Sequence, residues 1–221
     1  MHSAAKCVKI VLEHTFKGTS SRYMIKKPIK GEYLEILLRS PKTIFTTKDA
    51  ALLWGEAREQ IVSGRLNKYV KVGKLIRVRR GIYAKDANYD RLELATRICT
   101  PAYISFETVL IRAGINFQYY ETIFVASYVT RELKIAGQNI AFTRMKDYVL
   151  SNPAGIDHTA GYAIATPERA MLDRIYVSKD YHFDLLDMID WDKVFALVPI
   201  YHNQRLAKKV QEYFAYYKSQ L

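Results

Sequence analysis

Apolar positions recur first at helical spacing. Tyr33, Leu34, Ile36, Leu37 and Leu38 predict a short helix, stopped by Ser40-Pro41. Thr46 or Thr47 can cap a second helix, with Asp49 in its first turn and Gly55 at its end. A longer helix is predicted from about Arg58 to Val72. Its apolar residues Val62, Leu66, Tyr69 and Val70 fall at i, i+4, i+7 and i+8, which is one face, and Gly73 ends it. The period then changes to two. Leu75-Ile76-Arg77-Val78-Arg79 alternates from Ile76, Arg80-Gly81 offers a tight turn, and Ile82-Tyr83-Ala84 returns as a second strand.

Beyond this hairpin, Leu92, Leu94, Ala95 and Ile98 predict a helical connector over residues 86–100. Ser105 can cap a helix over Phe106 to Ala113, ended by Gly114. Thr122 to Val129 reads as a strand. Leu133-Lys134-Ile135 and Gln138 to Phe142 flank Ala136-Gly137 as a hairpin, and Tyr162 to Ala165 is a further strand. Thr166-Pro167 opens a helix through Ala170, Met171, Leu172 and Ile175. Val194, Phe195 and Leu197, then Leu206, Val210, Tyr213 and Phe214, make the end helical. The chain thus divides into three regions: a basic arm over 1–30 with a short helix near Val8 to Leu12, a unit over 31–85, and a mixed α/β unit with a helical tail over 86–221. The arm reads equally as a mobile terminus.

Charge divides the chain in two. The net charge is +12. Residues 1–100 hold 21 Lys and Arg against 9 Asp and Glu, whereas residues 101–221 hold 13 of each. From Lys42 to Lys85 there are 11 basic and 3 acidic residues. A densely negative partner, with nucleic acid the leading candidate, is expected to meet the first half. A basic surface kept for solubility is the alternative, but solubility needs no such asymmetry. The second half is expected to bind no DNA by itself. At 49% hydrophobic and 25% charged, the composition is that of an ordinary globular chain. No apolar run of about 18 residues exists, so no membrane contact is expected. Without a secretory leader and with only Cys7 and Cys99, a reduced cytoplasmic protein is expected.

Short helix, capped helix, longer helix and basic hairpin are, in order, the parts of a winged helix-turn-helix. The expected fold class is α+β: an N-terminal winged helix-turn-helix, then a mixed α/β domain with a helical C-terminal tail. Such a protein lays its second helix in the major groove, where base edges differ. On the helix from Arg58 to Val72, the face opposite Leu66 carries Gln60, Gly64, Asn67, Lys68 and Lys71. Gly64 costs about 1 kcal/mol against alanine. Either the helix tolerates it, letting the backbone approach DNA, or it breaks there. A break makes Ser63 or Gly64 a cap and puts Arg65, Asn67 and Lys68 in the first turn of the reading helix. Lys48 on the preceding helix joins this set. The hairpin adds Lys74, Arg77, Arg79 and Arg80. If Ile76, Val78 and Ile82 face the core, Arg77 and Arg79 face outward together, toward phosphates or a minor groove. A solvated hairpin protected by charge is the alternative.

No catalytic pattern competes. His2, His14, His158, His182 and His202 show no metal-binding spacing. Asp157-His158 and Asp180 to Asp184 could gather a nuclease metal, but Asp184, Asp187, Asp190 and Asp192 read better as helix starts and a solvated face. There is no Gly-rich phosphate loop, GxSxG or CxxC. A non-enzymatic protein with no cofactor and no metal is expected.

Four segments resemble one family. Phe45 to Ala51 resembles the first helix of its helix-turn-helix, and Leu75 to Ala84, with Arg80-Gly81-Ile82-Tyr83, its wing. Tyr103 to Thr108 and Thr166 to Asp173 resemble two motifs of the domain behind it. The family is the AbiEi-type antitoxins of bacterial type IV toxin–antitoxin systems. The resemblance spans about Glu32 to Tyr176. It implies a repressor of its own operon that binds promoter repeats in double-stranded DNA. It further implies that the second domain neutralises a cognate nucleotidyltransferase-like toxin. A stand-alone winged-helix regulator with a ligand- or partner-binding second domain is the alternative.

Overall fold

A computed structural model of the chain describes residues 28–29, 31–158, 161–178 and 180–220. The basic arm, apart from residues 28 and 29, and the helix expected near Val8 to Leu12 lie outside them. The described chain is a mixed α and β protein built on two sheets.

The first part runs α1 (Glu32–Arg39), β1 (Ile44–Thr46), α2 (Thr47–Trp54), α3 (Glu59–Lys71), β2 (Ile76–Arg79) and β3 (Ile82–Ala84). Helix α2 starts on a capping box. The Thr46 side chain accepts from the Asp49 N–H at 3.0 Å, and the Asp49 carboxylate accepts from the Thr46 N–H at 2.9 Å. Gly55 closes it in the left-handed region at φ 60°. Helix α3 is continuous through Gly64, so the chain does not break there. A Cβ at Gly64 would meet nothing within 4 Å. Leu37, Phe45, Ala50, Trp54, Val62, Leu66 and Tyr83 form the core between these helices and the sheet.

The three strands are antiparallel in the order β1-β3-β2. Two expectations need correction here. The chain has a strand at Ile44–Thr46 that its three residues are too few to announce by alternation. The hairpin also does not alternate strictly. Arg77 pairs with Tyr83 and Arg79 with Ile82, which leaves a bulge at Val78. Ile76, expected in the core, is 41% exposed.

Helix α4 (Arg91–Ile98) is more than a connector. Its Leu94 is fully buried with Ile44, Ile82 and Ala84 on the face of the small sheet opposite α3. That burial alone contributes about 1.5–3 kcal/mol. Leu92 and Ala95 of the same helix enter the main core of the chain. The Glu93 carboxylate accepts from the Thr43 N–H at 2.8 Å, the Thr43 hydroxyl at 2.7 Å and the Ile44 N–H at 3.3 Å.

The second part comprises β4 (Ala102–Ile104), α5 (Glu107–Arg112), β5 (Ile123–Ser127), β6 (Arg131–Ile135), β7 (Gln138–Arg144), α6 (Asp147–Leu150), β8 (Ile156–Asp157), β9 (Ile164–Ala165), α7 (Pro167–Val177), α8 (Trp191–Leu197), a 3₁₀ turn at Val198–Tyr201, and α9 (Gln204–Ser219). Its sheet has the order β6-β7-β5-β4-β9-β8. The expected hairpin at Ala136-Gly137 joins β6 to β7, and the Thr166 side chain caps α7 with Pro167 in its first turn.

Ser105 is not the cap of α5. Its hydroxyl donates instead to the Asp173 carboxylate at 2.7 Å, deep in the core. Tyr103 donates to the same carboxylate at 2.9 Å and Tyr201 at 2.7 Å. Arg169, fully buried one helical turn before Asp173, lies 3.4 Å from it. The Arg169 guanidinium also donates to the carbonyls of Val149 at 2.7 Å and Ala154 at 2.9 Å. Burial pushes the Asp173 carboxyl up from its ordinary range, against the opposing pull of Arg169 and the three hydroxyls.

Removing one partner of this network leaves the other charge buried and unpaired. Asp173→Ala is expected to lower unfolding stability by about 3–5 kcal/mol. Ser105→Ala, which removes one hydroxyl donor, is expected to cost about 1 kcal/mol. Urea denaturation of both variants reads the difference; equal midpoints would refute a network centred on the ion pair.

Candidate nucleic-acid interface

Helix α3 presents two polar faces. Gln60, Gly64 and Lys68 lie one turn apart and exposed, with Lys71 beyond them. Ser63 and Asn67, half-buried, turn toward the hairpin. Between them and the hairpin lies an open cleft of about 980 Å³, whose other wall is Arg77, Arg79 and Arg80. The bulge at Val78 sets Arg77 opposite Tyr83 and Arg79 opposite Ile82, yet both side chains reach this cleft. Glu59 is its one acidic lining residue.

The hairpin tip is tied to α2. The Thr47 N–H donates to the Gly81 carbonyl at 3.1 Å. Gly81 has φ 78°, a conformation that suits glycine in a turn this tight. Behind the tip a second cleft of about 730 Å³ brings Lys48, Arg79 and Arg80 together with Arg97 of α4 and Arg131 of β6. Asp49, at its base, is held by Lys42 at 2.7 Å and lies 3.7 Å from Arg97. Burial pushes the Asp49 carboxyl up, but hydrogen bonds from Lys42 and Thr46 and the charge of Arg97 outweigh it, and the net shift is downward.

Of the residues singled out in the sequence, the structure gathers Ser63, Asn67, Arg77, Arg79 and Arg80 in the first cleft and Lys48 in the second. Gln60, Lys68, Lys71 and Lys74 stand exposed beside them. Arg65 is drawn away. Its guanidinium sits 3.5 Å from the centroid of the Tyr33 ring and 5.8 Å from that of Trp54, packed between α1 and α2. Sequence reasoning misses Thr47, Glu59, Tyr83, Arg97 and Arg131. Tyr83 carries one signal, a hydroxyl in an otherwise apolar strand; the two arginines, distant in sequence, carry none.

Two of the acidic residues read as helix starts or a solvated face have defined structural partners. Asp190 caps α8, and Asp184 accepts from the Phe117 N–H at 2.8 Å. Among the described residues, no three His, Cys, Asp or Glu side chains are grouped as metal ligands. None of the described helices is long and apolar enough to cross a membrane.

No known protein-family model matches the chain, and no curated protein does.

Asp49 closes the capping box of α2 and anchors Lys42, so Asp49→Ala is expected to cost about 1 kcal/mol. Because its folded value lies below the ordinary 3.8, the contribution is complete above that pH and is lost as pH falls through the folded value. Thermal melts of wild type and Asp49→Asn should therefore converge on acidification below that point. A gap that stays constant throughout the acidification would refute the assignment.

Proposed function

We propose that residues 31–85 form a winged helix-turn-helix that binds duplex DNA. In this reading α3 enters the major groove and the β2–β3 hairpin follows the phosphate backbone. One observation carries it: Ser63 and Asn67, able to read base edges, face Arg77, Arg79 and Arg80 across a single open cleft. The local excess of 11 basic over 3 acidic residues from Lys42 to Lys85 supplies the attraction. The protein is then a regulator that acts at promoter repeats.

The resemblance to AbiEi-type antitoxins extends the proposal. The chain represses its own operon and, through the part after residue 85, neutralises a cognate nucleotidyltransferase-like toxin. Binding and neutralisation need no cofactor, and we assign the chain no catalytic role and a cytoplasmic place of action. In support, the two motifs of the second part are one physical unit: Tyr103 and Ser105 of the first bond Asp173 of the second.

Two measurements test this. Affinity for promoter DNA should fall steeply with salt, since each neutralised phosphate releases condensed counterion. Arg79→Ala and Arg80→Ala should weaken all sequences about equally and each lower the log–log salt slope by about 1. A flat salt dependence would sink the DNA-binding reading. For the antitoxin reading, the full chain is co-expressed with the neighbouring toxin candidate driven from an unrelated promoter. The Arg79→Ala, Arg80→Ala double variant should still restore growth while failing to repress. If even the wild type fails to restore growth, the chain is a stand-alone regulator.

A further inference from the structure

Tyr83 lies on β3, the middle strand of the small sheet, and only 3% of it is exposed. Its ring belongs to the core beneath α3, while its hydroxyl emerges at the floor of the cleft. There the hydroxyl donates to Oδ1 of Asn67 at 3.2 Å. Burial raises the Tyr83 hydroxyl above its ordinary value, against the charge of Arg77, so it keeps its proton at neutral pH and remains a donor.

A carboxamide is planar, with an acceptor on one side and two N–H donors on the other. Holding Oδ1 inward against a rigid strand turns Nδ2 outward. The paired contact of asparagine with adenine needs Oδ1 as well as Nδ2 turned to the base: Oδ1 accepts from N6 while Nδ2 donates to N7. With Oδ1 turned inward to Tyr83, the group offered to the cleft is a pair of donors. The major-groove edge of guanine, with acceptors at O6 and N7, matches that offer.

We propose that Tyr83 is a specificity-determining positioning residue: by binding Oδ1 of Asn67 it aims the amide N–H groups into the cleft, so that α3 selects guanine over adenine where Asn67 meets a base. The proposal rests on the DNA-binding reading above and adds to it a chemical class of target. It also assigns a role to a tyrosine that itself stays out of reach of the groove.

The test selects preferred duplexes from a randomised pool with the full chain and with three variants. Asn67→Ala identifies the base position that Asn67 reads, as the one whose preference disappears. In wild type that position should be guanine. Tyr83→Phe keeps the ring in the core and frees Oδ1. It should shift the position toward adenine by about tenfold, within the range of a paired base contact, and leave the salt slope unchanged. Asn67→Asp keeps the bond to Tyr83 but has no N–H to offer. It should lose guanine and favour cytosine, whose N4 donates. This substitution, at a half-buried cleft-facing site, decides the question if Tyr83→Phe does not fold. The proposal is overturned if the position prefers adenine in wild type, if a folded Tyr83→Phe leaves it unchanged, if Asn67→Asp still selects guanine, or if Asn67→Ala alters no position. Selection of no duplex at all by wild type would instead overturn the DNA-binding reading, and this inference with it.

Discussion

The carboxylate of Glu93 governs where the first part of the molecule can be. Strand β1 is an edge strand, and the N–H groups at its start are drawn to α4 rather than left unpaired. Glu93 takes both of them together with the Thr43 hydroxyl. An orphaned buried donor costs about 1–3 kcal/mol, so the clasp is worth more than its three contacts suggest. The elements downstream of Thr43 depend on it. Strand β1 pairs with β3, which carries Tyr83, and its last residue, Thr46, caps α2. Thr47, next in line, holds the hairpin tip through Gly81. One acidic side chain on the connecting helix thus sets the cap, the sheet and the cleft in a single frame.

The same frame explains why the two parts are not independent. Helix α4 lends Leu94 to one core and Leu92 and Ala95 to the other. Arg97, one turn after Glu93, approaches both Glu93 and Asp49. The second part is organised about a buried charge pair, Arg169 and Asp173, and the first about a buried apolar cluster with its charges outside.

Much of the first part was legible because its signals are local. Thr46 with Asp49, Gly55 at the end of α2 and the single face of α3 each involve residues within one or two helical turns. Thr166-Pro167 is equally local. Strands β1, β4 and β8 were not legible, since two or three residues show no period, and β1 and β4 exist only because a distant strand pairs with each. The bulge at Val78 was hidden for a related reason: register is set across the hairpin, not along it. Arg65 looked like a reader of bases by its place on the helix. A tyrosine more than thirty positions earlier, on another helix, claimed it for packing. The cleft residues Ser63, Asn67, Arg77, Arg79 and Arg80 were visible as types, while Tyr83 behind them could be placed only by the fold.

The larger sheet ends in two dissimilar edges. One is β8, of only two residues; the other is β6, where Arg131, Glu132 and Lys134 stand exposed. A stray strand arriving at β6 would have to lay itself against alternating charge, and at β8 it would find too little backbone to hold. A second chain arriving at this sheet therefore finds little template on which to stack.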